Sequence, residues 1–278
     1  MKRIYQIRFL RRLILPILGR INPGDITIHH HWTGDTFTLH SFQHKGYWYH
    51  GKKRKQETML RYSDLIRKGD FVVEIGAHIG YVSLYFAHLI GPGGQLIVFE
   101  PGPNNLPYLW KNVTSNSRIS IVEKAVTDYV GSARFYVDNL TGQTSSLLEG
   151  HDVSISRKQV THVDSSEESV IEVPCTRLDD FLLRAQLPPP SFVKIDVEGA
   201  ELSVLDGMKA ILGKDDIVLM VEVTENAPDV FALLRDAGFY MFRPKKSPVN
   251  ESKDMRGNIF CIKGKDDRMR IFSASWVG

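Results

Sequence analysis

A chain of 278 residues that is 42% hydrophobic and 24% charged, with 22 Gly and 13 Pro, has a globular composition, which excludes fibrous and wholly disordered classes. Its two cysteines, Cys175 and Cys261, stand far apart without ligand-like spacing; this excludes a disulfide scaffold and a cysteine-rich zinc module and fits a reducing compartment. The net charge of +3 is uneven: residues 1–56 carry eleven Lys and Arg against two Asp, a balance of +9, and the rest sum to −6.

A basic front end faces anionic lipid, nucleic acid or an acidic substrate, or is simply a solvated face. Within residues 1–21, Ile4, Ile7, Leu10, Ile14 and Leu18 recur at helical spacing, with Arg8, Arg11 and Arg12 between them. The spacing predicts a terminal helix, either packed on the body or lying in a membrane interface with snorkelling arginines. The apolar run at 13–18 is short, contains Pro16 and precedes no A-x-A site, so no secretory signal is expected. No run reaches the ~18–20 apolar residues of a spanning helix. The expected location is cytoplasmic, with peripheral membrane contact through residues 1–21 as the open alternative.

Residues 26–50 read as strands. Ile26 and Ile28 alternate with Thr27 and His29, a turn follows at Thr33-Gly34-Asp35, and TFTLHSF resumes the alternation. Six of the ten histidines fall here: His29, His30, His31, His40, His44 and His50. No Cys or carboxylate accompanies them at metal-ligand spacing, and consecutive strand residues face opposite ways. A surface hairpin with pH-sensitive charge is therefore expected rather than a metal site.

From residue 57 the pattern changes. FVVEI (71–75), QLIVFE (95–100), ISIVEKAV (119–126), SFVKIDV (191–197), DIVLMVEV (216–223) and NIFCIKG (258–264) read as strands. Between them YVSLYFAHLI (81–90), NLPYLWKNV (105–113), AELSVLDGM (200–208) and DVFALLRDAGF (229–239) read as helices. Short apolar strands alternating with helices predict an α/β fold whose mostly parallel sheet carries helices on both faces. Residues 139–170 are rich in Ser and Thr and read as a lid or mobile insertion. The expected division is a basic helix and β-hairpin extension at 1–56 and an α/β domain at 57–278. The N-x-[ST] sequons at Asn112, Asn139 and Asn250 are expected to be chance matches.

Glu74-Ile75-Gly76-Ala77-His78-Ile79-Gly80 joins a strand to a helix, where open α/β sheets bind ligands. The turn departs from the dinucleotide fingerprint, because His78 stands where the second glycine lets a pyrophosphate approach the backbone. Glu74 would repel phosphate and suits a ligand with positive charge. S-adenosylmethionine (SAM) is such a ligand. Glu100, in Val98-Phe99-Glu100-Pro101, closes the next strand 20 residues after Gly80, where a carboxylate accepts bonds from both ribose hydroxyls. The alternative is a structural turn in a fold with another ligand.

EIGAHIG, VFEP and KIDVEGAE, in this order and spacing over roughly residues 57–263, resemble the FkbM-type family of SAM-dependent methyltransferases. KIDVEGAE is the most distinctive match; Ser145-Ser146-Leu147, Thr176-Arg177-Leu178-Asp179 and Asn258-Ile259-Phe260 resemble weaker family signals. The resemblance implies a Rossmann-like class I methyltransferase fold: a seven-stranded, mostly parallel sheet with the last strand antiparallel. It also implies O-methylation, often of sugar or natural-product hydroxyls. The family's usual Asn in the turn is His78 here, whose backbone N–H is expected to remain available.

Methyl transfer to a hydroxyl needs positioning and an acceptor for the hydroxyl proton. Asp196 closes one strand and Glu222 the next, so both are expected near the transferring methyl, with Glu198 as a third acid. These three are the catalytic candidates, as a base or as ligands of Mg²⁺ or Mn²⁺; a metal-free base is favoured. Capping of the next helix is the alternative role, since Glu198 and Glu201 sit where a helix N-terminus favours negative charge, and Glu201 is expected mainly as a cap. Asp128 follows the third strand and is expected either beside adenine or as a turn residue, while Lys194 is expected to pair with a nearby acid. The expected cofactor contacts are Glu74, Gly76, Ala77, His78, Gly80, Glu100, Pro101, Ala125, Asp128 and Asp196. The expected partner is a small-molecule or glycan acceptor; the acidic body argues against nucleic acid. N- or carboxyl-methylation, or a non-catalytic SAM-fold module that binds lipid or protein, are the alternatives.

Overall fold

The computed structural model describes residues 23–137, 147 and 169–273. The predicted helix at 1–21, the sequon at Asn139 and most of the predicted lid lie outside them.

The first described elements are the antiparallel strands β1 (Asp25–His29) and β2 (Thr36–His40). Residues 45–50, expected as strand, form the short helix α1 (Lys45–His50), which ends at Gly51 with φ 53°. Period-2 alternation stops after His40, and only Tyr47 of KGYWYH is buried. Next come α2 (Gln56–Leu65), β3 (Phe71–Ile75), α3 (Tyr81–Ile90), β4 (Gln95–Phe99), α4 (Leu106–Val113) and β5 (Ile119–Val122). The stretch 119–126, expected as one strand, breaks at Glu123-Lys124, and β6 (Ala125–Val126) joins a second sheet with β7 (Gly131–Val137) and β8 (Ser169–Thr176). The chain continues with α5 (Leu178–Arg184), β9 (Phe192–Ile195), α6 (Glu201–Asp206), α7 (Lys209–Leu212), β10 (Val218–Val223), α8 (Ala227–Asp236), β11 (Phe239–Phe242), β12 (Gly257–Lys263) and α9 (Arg270–Ser273).

The main sheet has seven strands in the order β5-β4-β3-β9-β10-β12-β11, with β12 antiparallel to both neighbours. The strands from β3 to β5 run outward one way and β9 and β10 the other, so the direction of winding reverses between β3 and β9. That switch point opens a crevice at the strands' carboxyl ends. The predicted Rossmann-like class I sheet is the observed one.

Strand parity sorts the core. Val72, Val98, Phe192, Met220 and Phe260 face one side, where Tyr62 and Phe86 pack edge to face at 4.8 Å. Val73, Ile75, Val193, Ile195, Leu219 and Val221 face the other. Glu74 and Lys194 share the parity of the first set and stand opposite each other across the β3–β9 ladder. Two charged residues thus enter the interior as a pair. Among the described residues no helix is long and apolar enough to cross a membrane.

The hairpin is not a surface ribbon. Phe37 and Leu39 are fully buried, and His30 and His44 are 1% and 2% exposed. Burial pushes both imidazoles down to about 4, so they are neutral at physiological pH and the expected pH-sensitive charge is absent at these two positions. One ring nitrogen of His30, Nε2, lies 2.9 Å from the Tyr81 carbonyl and donates to it, while Nδ1 accepts from the Thr33 N–H at 3.2 Å. The sequon residue Asn112 is a buried clamp between α4 and the hairpin. Its side chain accepts from Thr38 N–H at 2.7 Å and donates to the carbonyls of Thr38 and Ile79, each at 2.9 Å. Asn112→Ala strands these backbone groups, and a loss of about 2–4 kcal/mol is expected in urea denaturation; an unchanged midpoint would remove Asn112 from the docking of the hairpin.

Candidate active site

The turn after β3 is shaped by its neighbours. Gly76 has φ 83°, and a Cβ there would lie 1.9 Å from the Asp196 carbonyl oxygen, so glycine is required where the turn crosses the end of β9. The amides of Gly76 and Ala77 both donate to the Phe99 carbonyl, at 2.9 and 3.1 Å. Gly80, with φ 85°, packs against Val113 and Leu109 and does not line the main cavity. His78 sits at φ 52°, a left-handed position that Asn and His tolerate better than most residues. Its N–H is not available as expected: it donates to Glu100 Oε2 at 2.7 Å. The ring Nδ1 lies 3.0 Å from the Tyr47 hydroxyl.

Glu100 is 4% exposed. Its Oε1 accepts from Gly102 N–H at 2.9 Å and from Asn105 Nδ2 at 3.1 Å. With His78, three protein donors use three of about four lone-pair sites. One ribose hydroxyl can therefore be added without displacing a protein donor, where two were expected. Burial pushes the Glu100 carboxyl up to about 7, against the opposing pull of its donors.

A cavity of about 250 Å³ opens at the switch point. It brings together Gly76, His78, Glu100, Pro101, Ala125, Asp196, Glu198 and Glu222 from the expected set, with Phe99, Val126 and Phe135 as apolar wall. Glu74 and Ala77 line a smaller adjoining cavity of about 60 Å³. Glu74 is fully buried, accepting from Ser83 Oγ at 2.6 Å and pairing with Lys194 at 3.2 Å, so it holds the lysine rather than facing the main cavity. Asp128, expected beside adenine, is outside both cavities. Its carboxylate accepts from Ser203 Oγ at 2.5 Å, which ties the loop after β6 to α6.

The acids are organised by two lysines. Lys194 Nζ donates to the Gly76 carbonyl at 2.8 Å and lies 3.4 Å from Asp196 Oδ2. Lys55 Nζ donates to Glu222 Oε2 and lies 3.6 Å from Asp196 Oδ2. Burial alone would raise the Asp196 pKa, but Lys55 and Lys194 outweigh it and hold the carboxyl well below its usual range. For Lys194, burial opposes the charge, yet Asp196 and Glu74 carry its pKa above the ordinary value. Glu222 is raised by burial and by Asp196, against the pull of Lys55. Glu198 follows at φ 50°, on the turn after β9, and burial with the charges of Asp196 and Glu222 pushes it up to about 8. Glu201, by contrast, is a cap: its Oε1 accepts from Gly199 N–H at 2.8 Å and from Thr224 Oγ1 at 2.9 Å.

Tyr47, Arg54 and Lys55 also line the cavity, and none was among the expected site residues. Lys55 lies in the run Lys52-Lys53-Arg54-Lys55, where nothing in the sequence separates an inward lysine from its solvated neighbours. Among the described residues no three His, Cys, Asp or Glu side chains converge as a metal site; the Lys55 ammonium pairs with Asp196 and Glu222, two of the three acids considered as ion ligands.

The donor set fits SAM. Carboxylates at the ends of β9 and β10 suit its sulfonium and ammonium, Glu100 suits a ribose hydroxyl, and Phe99, Val126 and Phe135 suit an adenine face. A class I sheet with these acids at its carboxyl edge defines a SAM-dependent methyltransferase. The model of the methyltransferase FkbM domain matches residues 74–241, and the chain belongs to this family. It is 31% identical over 207 residues to the 31-O-demethyl-FK506 methyltransferase FkbM of Streptomyces tacrolimicus, covering 65% of this chain and 76% of that protein. It is 31% identical over 156 residues to the 2-O-methyltransferase NoeI of Sinorhizobium fredii, covering 54% of this chain and 62% of that protein. A solved methyltransferase FkbM from Methylobacillus flagellatus KT superposes with a TM-score of 0.43 at 14% identity, over 73% of this chain and 50% of that one.

Proposed function

We propose that the protein methylates a hydroxyl of a sugar, glycolipid or secondary metabolite, and that Glu198 takes up the hydroxyl proton. The observation that carries this reading is geometric: Glu198 lines one cavity with Asp196 and Glu222, beside the ion pairs of Lys55 and Lys194, and burial with those two carboxylates pushes its pKa up to about 8. A neutral hydroxyl must lose its proton as the new bond to carbon forms, and a carboxylate of raised pKa is the stronger base. SAM supplies an activated methyl group, so the protein's own work is positioning and proton uptake. Asp196, one of the three acids expected as base or ion ligand, is ionised and held by Lys55 and Lys194; it is the weaker base and serves to fix both ammonium groups. Two relatives named for O-methylation support oxygen as the accepting atom.

The test is a panel of sugars, glycolipids and polyketide alcohols, with amine and carboxylic acid controls, incubated with methyl-labelled SAM. Base-stable label on an alcohol supports the proposal. Label on an amine, or as a base-labile ester, replaces it with N- or carboxyl-methylation; SAM binding with no transfer to any of them favours a binding module. Because Lys55 bridges Asp196 and Glu222, turnover is expected to survive EDTA and to gain nothing from added Mg²⁺ or Mn²⁺. Loss on chelation with recovery on Mg²⁺ would instead assign Asp196, Glu198 and Glu222 to holding an ion that lowers the hydroxyl's pKa.

A further inference from the structure

Arg54 is half-buried and lines both the main cavity and the smaller one beside the turn. Its guanidinium lies over the Tyr47 ring, 4.1 Å from the centroid, and the Tyr47 hydroxyl is held against His78 of the turn. The neighbouring cations Lys55 and Lys194 are engaged by Glu222, Asp196 and Glu74. Arg54, among the described residues, makes no ion pair and no side-chain hydrogen bond; the ring contact is its partner. A guanidinium held over an aromatic face by a cation–π contact keeps its N–H donors for an anion.

The position of Arg54 along the site says which anion. Glu100, Ala125 and Val126 line the main cavity alone, whereas Arg54 also lines the smaller one, with Ala77 and Tyr81 beside the turn. A ligand that places its ribose at Glu100 and directs its other end toward the smaller cavity meets Arg54 with that end. In SAM that end is an amino acid whose ammonium suits the nearby acids and whose carboxylate does not. We infer that Arg54 binds the carboxylate of the cofactor's methionine moiety, with Tyr47 holding the guanidinium plane in place. The segment at 45–55 is then part of the cofactor site. The inference rests on SAM as the cofactor and assigns the one ligand charge that the acidic strand ends leave unmatched.

Isothermal titration of the wild-type protein and Arg54→Ala with two ligands tests it. S-adenosylhomocysteine carries the amino-acid end, and 5′-methylthioadenosine keeps ribose and adenine but lacks it. Arg54→Ala should weaken S-adenosylhomocysteine by roughly 10–100-fold, the scale of a charge-assisted hydrogen-bonded pair, and leave methylthioadenosine within about twofold. Arg54→Lys, which keeps the charge but not the fork, should fall between. Unchanged S-adenosylhomocysteine affinity, or an equal loss for both ligands, overturns the inference; the first result with weakened acceptor binding would give Arg54 to an acidic acceptor. Wild-type protein that binds neither ligand would overturn the cofactor assignment and the inference with it.

Discussion

Glu198→Gln is expected to lower turnover by roughly 10²–10⁴-fold, the usual worth of a positioned general base, while S-adenosylhomocysteine affinity and the melting temperature stay unchanged. Gln keeps the size of the side chain and removes only proton uptake. The pH profile adds a readout that a structural role would not move. Burial and two neighbouring carboxylates push the Glu198 pKa up to about 8. A base works ionised, so kcat/KM should rise with pH and level off above that value. A bound sulfonium favours the carboxylate and moves the midpoint of kcat lower. In Glu198→Gln this limb should vanish. Wild-type turnover with an unaltered profile would return proton uptake to Asp196 or Glu222.

Lys194→Ala is expected to be the most damaging single change to stability. The ammonium is buried and touches Glu74, Asp196 and the Gly76 carbonyl at once. Its loss leaves Glu74, which is 0% exposed, as a buried acid with only the Ser83 hydroxyl. Breaking such a pair costs about 3–5 kcal/mol, which urea denaturation reads directly. Because the unpaired Glu74 would bind a proton in the folded state, the variant should also lose stability as pH rises through its raised pKa. Adding Glu74→Gln should recover part of the loss, since no charge is then stranded. A double variant worse than Lys194→Ala by the full cost of a second independent site would show that the two residues do not act as a pair.

Much of this architecture is legible in the chain. FVVEI, QLIVFE and KIDV are short apolar runs bounded by turn residues, and they become β3, β4 and β9 with the expected parallel pairing. Glu100 could be placed because a strand end and a fixed distance from the glycine turn locate it on the backbone alone. What the sequence misplaced depends on contacts between distant segments. Asp128 sits at the right distance for a ligand contact, but Ser203, 75 residues away, engages it first. Glu74 has the right polarity for a cationic ligand, yet the β3–β9 register sets it against Lys194. The acids at 196, 198 and 222 were visible, but their division of labour was not, since it turns on Lys55 folding back from a basic run onto Asp196 and Glu222. The histidines at 30 and 44 look like surface groups until α3 and α4 cover them.

The most direct measurement is a crystal structure with S-adenosylhomocysteine bound. Adenine is expected against Phe99 and Val126, one ribose hydroxyl on Glu100 beside the retained His78 N–H, and the sulfur facing the space lined by Asp196, Glu198 and Glu222. A ligand bound elsewhere, or one whose sulfur points away from these three carboxylates, would contradict this placement.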